Sequence, residues 1–412
     1  MNENEAILQR QKFNTRFKNQ DMDFMFNWAV GITQIIGMSA AQVFYAIHDI
    51  KDGDPTQWRE GFRQQGAYQR ERASVLLAHK QPVVAGQFYL GAAYAYRAAL
   101  HYTDPQAHDF VEQVGNMEKA FQEGVKLMGV PITPMEIPFE ATTLSGYYLE
   151  HDAEPRPVVL MIGGGDTYRE DLFYFAGYPG WKRGYNVLMV DLPGQGMMPA
   201  RGQHFQVAMD YPIRVVLDWL EAHAAVKPQQ IALYGVSGGG YFTAQAAADA
   251  RIKAWIAATP IFDIATVFAR EFGSALKTPG WLLNLTMRLV GSLNESAEIN
   301  LAKYAWQFGT SDFKSAISGV FEQARVVDYA KITCPSLFLM SEGEGAELKR
   351  QTREVYDNFV QRGINVTLRE FTAAEGADAH CQLNNLRLLH LVVFDWLDQL
   401  FAHESGDVRL YC

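Results

Sequence analysis

Between an apolar run at 231–234 (IALY) and an alanine-rich run at 241–250, the chain reads Gly235-Val236-Ser237-Gly238-Gly239-Gly240. A G-x-S-x-G string alone is common. With a strand before it and a helix after it, it meets the requirement of a nucleophile elbow, a turn so tight that glycines must flank the serine and lift its hydroxyl above the sheet edge. The alternative is a glycine-rich strand-to-helix turn that only packs or binds phosphate. Ser237 is the candidate nucleophile.

The elbow needs a sheet, and the second part of the chain supplies one. Short β-rich runs at 157–162, 186–190, 230–234, 254–258, 336–340 and 366–371 are separated by stretches long enough for a helix. That spacing predicts a mostly parallel, doubly wound sheet covered on both faces. Residues 136–139 and 144–150 alternate like a hairpin at its edge. The interval from 258 to 336 exceeds one crossover helix, and its apolar helical segments at 264–276, 281–293 and 313–330 are expected to form a lid over the carboxyl ends of the strands, where ligands bind in such folds. Before residue 131 the pattern is helical. Apolar residues recur every three or four positions over 58–79 and 83–102, and Asp104-Pro105 predicts the start of the next helix. The expected division is a helical domain over 1–130 and a catalytic domain over 131–412, with the insertion around 264–330.

Composition narrows the function. The 412 residues are 48% hydrophobic and 20% charged, too apolar for a disordered chain. A net charge of −10 lacks the basic footprint of a nucleic-acid binder. Cys334, Cys381 and Cys412 are scattered with no CxxC, which fits neither a disulfide framework nor a zinc site and agrees with a reducing cytoplasm. Residues 1–27 are polar and charged, without a signal-peptide run. The uncharged stretch 28–47 is interrupted by Gln34, Gln42 and two glycines, and reads as a helix or helix pair packed in a core or interface and not as a membrane span.

A serine hydroxyl needs a base. His380 lies between the last strand and the last helix, where this fold places one; His390, inside the final helix, and His204, beyond Gly202, are poorer candidates. The acid that orients the base stays open among Glu344 and Glu342, in the loop Ser341-Glu342-Gly343-Glu344-Gly345, and Asp263, at the end of the preceding strand. Gly163-Gly164-Gly165-Asp166 follows the strand at 157–162, so the N–H groups of Gly165 and Gly238 are the expected oxyanion hole. The turn Asp191-Leu192-Pro193-Gly194-Gln195-Gly196 reads as structural.

These residues, with the helical pattern Trp58…Ala67…Ala73…Gly86…Tyr89-Leu90…Ala92-Ala93…Tyr96 running into Pro138-Phe139-Glu140 and the stretch Gly376-Ala377-Asp378-Ala379-His380-Cys381, resemble one group of α/β-hydrolases. The group includes 2,6-dihydroxypseudooxynicotine hydrolase, fermentation-respiration switch proteins and polyketide-shortening hydrolases of fungal pigment and bacterial anthraquinone pathways. The resemblance runs from about residue 55 to the C-terminus. It implies a triad of Ser237, Glu344 and His380, although the usual acid is an aspartate in an H-G-x-x-D pattern and here Met340-Ser341-Glu342-Gly343-Glu344 stands in its place. It also implies retro-Claisen cleavage of a carbon–carbon bond next to a ketone, with Glu271 as a possible assisting acid from the lid.

Other readings stay open on sequence alone. A carboxylesterase or thioesterase would use the same triad, and Trp281, Trp306 and Tyr304 are candidates to line an aromatic pocket, although aromatic residues on helices are more often core. A non-catalytic binding or regulatory protein on a hydrolase scaffold is a different class, and a fluorophosphonate probe separates it. A peptidase fits poorly, since no propeller pattern and no acidic pair for a substrate amine is apparent. The expected partner is a small aromatic or polyketide-like molecule, carrier-bound or free, with a second copy of the chain in a homodimer. No metal or organic cofactor is implied.

Overall fold

A computed structural model describes residues 9–152, 154–222, 226–278 and 295–405. The expected helix at 281–293, Trp281 and Cys412 lie outside them. The chain divides into two compact units, one of Met1–Lys12, Thr133–Glu271 and Gly319–Cys412, the other of Phe13–Ile132 and Phe272–Ser318.

The first unit is built on eight strands: β1 (Ile132–Phe139), β2 (Thr142–Leu149), β3 (Arg156–Ile162), β4 (Asn186–Val190), β5 (Val226–Val236), β6 (Ile252–Ala258), β7 (Ser336–Ser341) and β8 (Val366–Phe371). Their spatial order is β1-β2-β4-β3-β5-β6-β7-β8. β2 pairs antiparallel with β4, and from β4 through β3 to β8 every pairing is parallel. Successive side chains on a strand point to opposite faces, so a strand buried at every position is covered on both sides. All five residues of β4 and all six of β7 are buried. The expected strands thus appear, with β5 beginning earlier and β6 two residues earlier than their apolar runs.

The second unit contains α1 (Gln20–Ile32), α2 (Ala40–Ala46), α3 (Pro55–Ala78), α4 (Pro82–Leu100) and α5 (Phe110–Leu127). Small residues let α3, α4 and α5 approach closely: a Cβ on Gly66 would stand 2.5 Å from the Tyr96 ring, and one on Gly124 would stand 2.8 Å from Leu90. Trp58 is fully buried and donates from Nε1 to the Ala98 carbonyl at 2.8 Å. Asp23, also fully buried, is satisfied by the backbone N–H groups of Thr15, Arg16 and Phe17 at 2.7–2.8 Å. The apolar stretch 28–47 supplies the end of α1, a turn and all of α2, and no described helix is long and apolar enough to cross a membrane.

Asp104-Pro105 does not start a helix. Asp104 Oδ1 accepts from Gln106 N at 2.9 Å in a local turn, and α5 begins five residues later at Phe110. The competing Asx turn satisfies the backbone that a cap would have used.

After β6 come α10 (Ile264–Lys277), α11 (Glu295–Phe308) and α12 (Phe313–Gln323), the intervening labels falling to α6 (Arg169–Leu172), α7 (Tyr178–Lys182), α8 (Asp210–Glu221) and α9 (Gly239–Ala246). Within the helical unit Glu295 receives Thr56 Oγ1 and Arg59 Nη2, and Trp306 packs edge-on against Phe110 at 5.5 Å. Tyr304 packs against Phe313.

Two glycines predict opposite outcomes when replaced by alanine. A Cβ on Gly240, at the start of α9, would stand 1.9 Å from the Thr259 carbonyl oxygen, whereas one on Gly319 in α12 meets nothing within 4 Å. Urea denaturation should show Gly240→Ala destabilised by about 1–3 kcal/mol and Gly319→Ala stabilised by up to about 1 kcal/mol.

Candidate active site

Where β5 runs out, the backbone turns at Ser237 with φ +55°, an uncommon conformation for a non-glycine residue. The turn is held by Ser237 N donating to the Ala258 carbonyl at 2.7 Å and by Gly240 N donating back to the Ser237 carbonyl at 2.8 Å. Gly235 has no room for a side chain, since a Cβ there would lie 2.2 Å from the Gly239 carbonyl oxygen. The strain at Ser237 is thus maintained by close packing on both sides.

His380 follows β8 and Glu344 follows β7. Ser237 Oγ and His380 Nε2 are 2.9 Å apart, and His380 Nδ1 and Glu344 Oε1 are 2.8 Å apart. Glu344 has no exposed surface. Its Oε1 also accepts from Thr259 Oγ1, and its Oε2 accepts from Ser341 N at 3.3 Å. Burial disfavours charge on the His380 ring, but the side chains of Cys381 and Glu344 outweigh it and hold the imidazole pKa above the ordinary histidine value.

The structure brings together one of the three candidate acids. Asp263 instead caps α10, accepting from Thr266 N at 3.0 Å and from Thr266 Oγ1. Glu342 accepts from Ala373 N at 2.9 Å and pairs with Lys12 Nζ at 3.1 Å, the first of these holding its carboxyl below the usual range. His390 bonds the Tyr174 carbonyl at 2.6 Å, and burial pushes its pKa down to about 4. His204 lies in the loop between Gly202 and α8. Glu271 lies on α10, and its side chain is outside the described residues.

The loop after β3 approaches the elbow. A Cβ on Gly164 would stand 2.6 Å from Ser237 Cβ and 3.2 Å from Gly238 N, and one on Gly238 would stand 3.5 Å from Gly165 N. The Gly165 nitrogen thus lies close to Gly238, next to the serine. Cys381 and Cys334 are buried thiols that donate to the carbonyls of Ala258 and Ala247. Among the described residues no group of three His, Cys, Asp or Glu is placed to hold a metal ion.

One element of the site has no side-chain signature in the sequence. Residues 9–12 form a strap along the loops that carry Glu344 and His380. His380 N donates to the Arg10 carbonyl at 2.6 Å, Arg10 forms an antiparallel bridge with Glu344, and Lys12 N donates to Asp378 Oδ2 at 2.7 Å. Gly343 is wedged between the strap and the loop of His380, so that a Cβ would lie 2.6 Å from both the Gln11 backbone and the Asp378 carbonyl oxygen. A displaced strap should misplace the base, and an error of about 1 Å costs on the order of 10²-fold in rate. Gly343→Ala should therefore react with a fluorophosphonate about 10²-fold more slowly than the wild type, with the near-UV circular dichroism spectrum of the native fold retained; an unchanged rate would show that the close packing of strap and His380 loop is dispensable.

The residues 53–307, more than half of the chain, match the family described as Esterase FrsA-like. Hydrolyase ccsE of Aspergillus clavatus is 27% identical, with 94% of this chain and 98% of that protein covered. The 20-hydroxy-prefusarin hydrolase of Gibberella moniliformis is 26% identical over the same shares. Among solved structures, the 2,6-dihydroxy-pseudo-oxynicotine hydrolase superposes with a TM-score of 0.64 at 18% identity, covering 89% of this chain and 94% of its own. That likeness shows the fold, an α/β-hydrolase fold, and agrees with the mostly parallel eight-stranded sheet. The chain is an α/β-hydrolase and belongs to the FrsA-like esterase family.

Proposed function

We propose that this enzyme is a serine hydrolase that cleaves a carbon–carbon bond next to a ketone in a bulky aromatic or polyketide-like substrate, through an acyl-serine intermediate. The observation that carries the serine mechanism is the continuous hydrogen-bonded chain from Ser237 Oγ through His380 to Glu344 Oε1.

In this reading Ser237 Oγ attacks the carbonyl carbon while its proton passes to His380 Nε2. Glu344 stabilises the imidazolium that forms. The developing oxyanion accepts from the N–H groups of Gly165 and Gly238. Collapse of the tetrahedral adduct breaks the bond to the leaving carbon, and His380 returns its proton to that carbanion. Water, deprotonated by His380, then attacks the acyl-serine; Oγ leaves with the proton and a carboxylic acid is released. No cofactor enters this sequence. The choice of a carbon leaving group is supported by the resemblance of the helical module to hydrolases of that kind. An ester or thioester leaving group is the second reading, favoured by the family's own description as esterase-like.

Product analysis by mass spectrometry on an aromatic β-diketone and an ester of matched size tests both. Serine-dependent conversion of the diketone to acid plus shortened ketone is the expected result; cleavage of the ester alone would leave an esterase. Ser237→Ala should lower turnover by about 10⁴-fold or more with the fold intact.

The pH profile tests Glu344. A general base must be neutral to accept a proton, so kcat/KM should rise with pH through the raised His380 pKa. Removing the carboxylate in Glu344→Gln should lower the maximal rate by about 10²–10⁴-fold and move this limb to lower pH. An unchanged maximal rate together with a limb that stays in place would remove Glu344 from the triad.

A further inference from the structure

The turn after β4, Asp191-Leu192-Pro193-Gly194-Gln195-Gly196, looks from its glycines like a plain structural corner. Its one buried carboxamide does something more specific. Gln195 has 1% of its surface exposed, and its Nε2 donates to two consecutive carbonyls of the neighbouring loop, Gly163 O at 2.6 Å and Gly164 O at 2.9 Å. Its Oε1 accepts from Leu192 N at 2.9 Å, and its own N–H donates to the Leu192 carbonyl at 2.9 Å, so the side chain is fixed at both ends. The Gly164 carbonyl also accepts from Thr167 Oγ1 at 3.2 Å, and the Thr167 carbonyl accepts from Gly196 N at 3.2 Å, which ties the two loops together a second time.

We propose that Gln195 is a positioning residue for the oxyanion hole. The Gly164 carbonyl and the Gly165 N–H belong to one planar trans peptide and point in opposite directions. Holding the carbonyl on Gln195 therefore sets the direction of the Gly165 N–H, whose nitrogen lies beside Gly238. Glycine at 163, 164 and 165 provides no Cβ to restrict the loop, so its backbone torsions are intrinsically less restricted than those of other residues. A loop of three glycines holds a catalytic amide in one orientation only if something outside it fixes the peptide plane, and a buried carboxamide with two donors does so. The inference rests on the reading of Gly165 as an oxyanion donor.

The test is Gln195→Met, which keeps the length and loses both donors, measured on the full chain as kinact and Ki for phosphonylation of Ser237 by a fluorophosphonate, alongside the Kd of a trifluoromethyl ketone. Losing one oxyanion donor outright costs about 10²–10³-fold. Disorienting it should lower kinact about 10–100-fold and weaken the ketone, which binds as an oxyanion adduct, by the same factor, with Ki within twofold. Thr167→Val removes the weaker donor to the same carbonyl and should give a smaller loss of the same pattern, which keeps the test open if Gln195→Met does not fold. Unchanged kinact and ketone affinity in either variant would overturn the proposal, as would a loss confined to Ki or to the melting temperature. Labelling that persists in Ser237→Ala would instead defeat the hydrolase mechanism itself, and that outcome is read separately from the Gln195 arm.

Discussion

Glu344 is an acid with no exposed surface, and a buried carboxylate is tolerated only when its oxygens are paired. Its partners are supplied by the sheet in order. Across neighbouring strands β5, β6, β7 and β8, the segments past their carboxyl ends contribute Ser237, Thr259, Glu344 and His380 respectively. Thr259 and the Ser341 N–H take part of the carboxylate's bonding capacity, and His380 takes the rest through Nδ1. With Nδ1 engaged, Nε2 is the nitrogen left to face Ser237, so the demand of one buried anion fixes the ring orientation and tautomer of its neighbour. The same loops are closed from outside by the strap at 9–12, whose bonds run to the backbone of His380 and the side chain of Asp378.

What the sequence discloses of this arrangement depends on whether the constraint is local. The elbow is legible because its demands fall on adjacent residues: crowding at Gly235 and Gly240 forbids any side chain, and an apolar strand and an alanine-rich helix flank it. The inner strands are legible because a strand covered on both faces, such as β4, requires apolar residues at nearly every position. The acid is less so. Glu342 and Glu344 are two residues apart and chemically identical, and what separates them is burial and the position of Thr259, both tertiary. Asp263 lies in the loop five residues past β6, a place where an acid would serve, but the helix that follows takes it as a cap. The strap is illegible because its main acceptor is a backbone carbonyl, which every residue carries. Asp104-Pro105 has the form of a helix start, and a turn of equal local satisfaction takes it instead.

In the proposed mechanism the electrostatics of the base set what each kind of leaving group requires of it. The first half of the proposed reaction is indifferent to the leaving group: Ser237 would lose a proton to His380 whatever is attached to the carbonyl. A ring whose pKa lies above the ordinary histidine value accepts that proton readily and yields it reluctantly. Reluctance matters most for an alkoxide, which is a poor leaving group until it is protonated. It matters less for a group that departs as a stabilised anion, such as the enolate of a β-dicarbonyl or a thiolate, because collapse can run ahead of proton return. The pairing of His380 with a fully buried Glu344 serves the proposed mechanism in both halves, since the carboxylate stabilises the imidazolium whichever group departs.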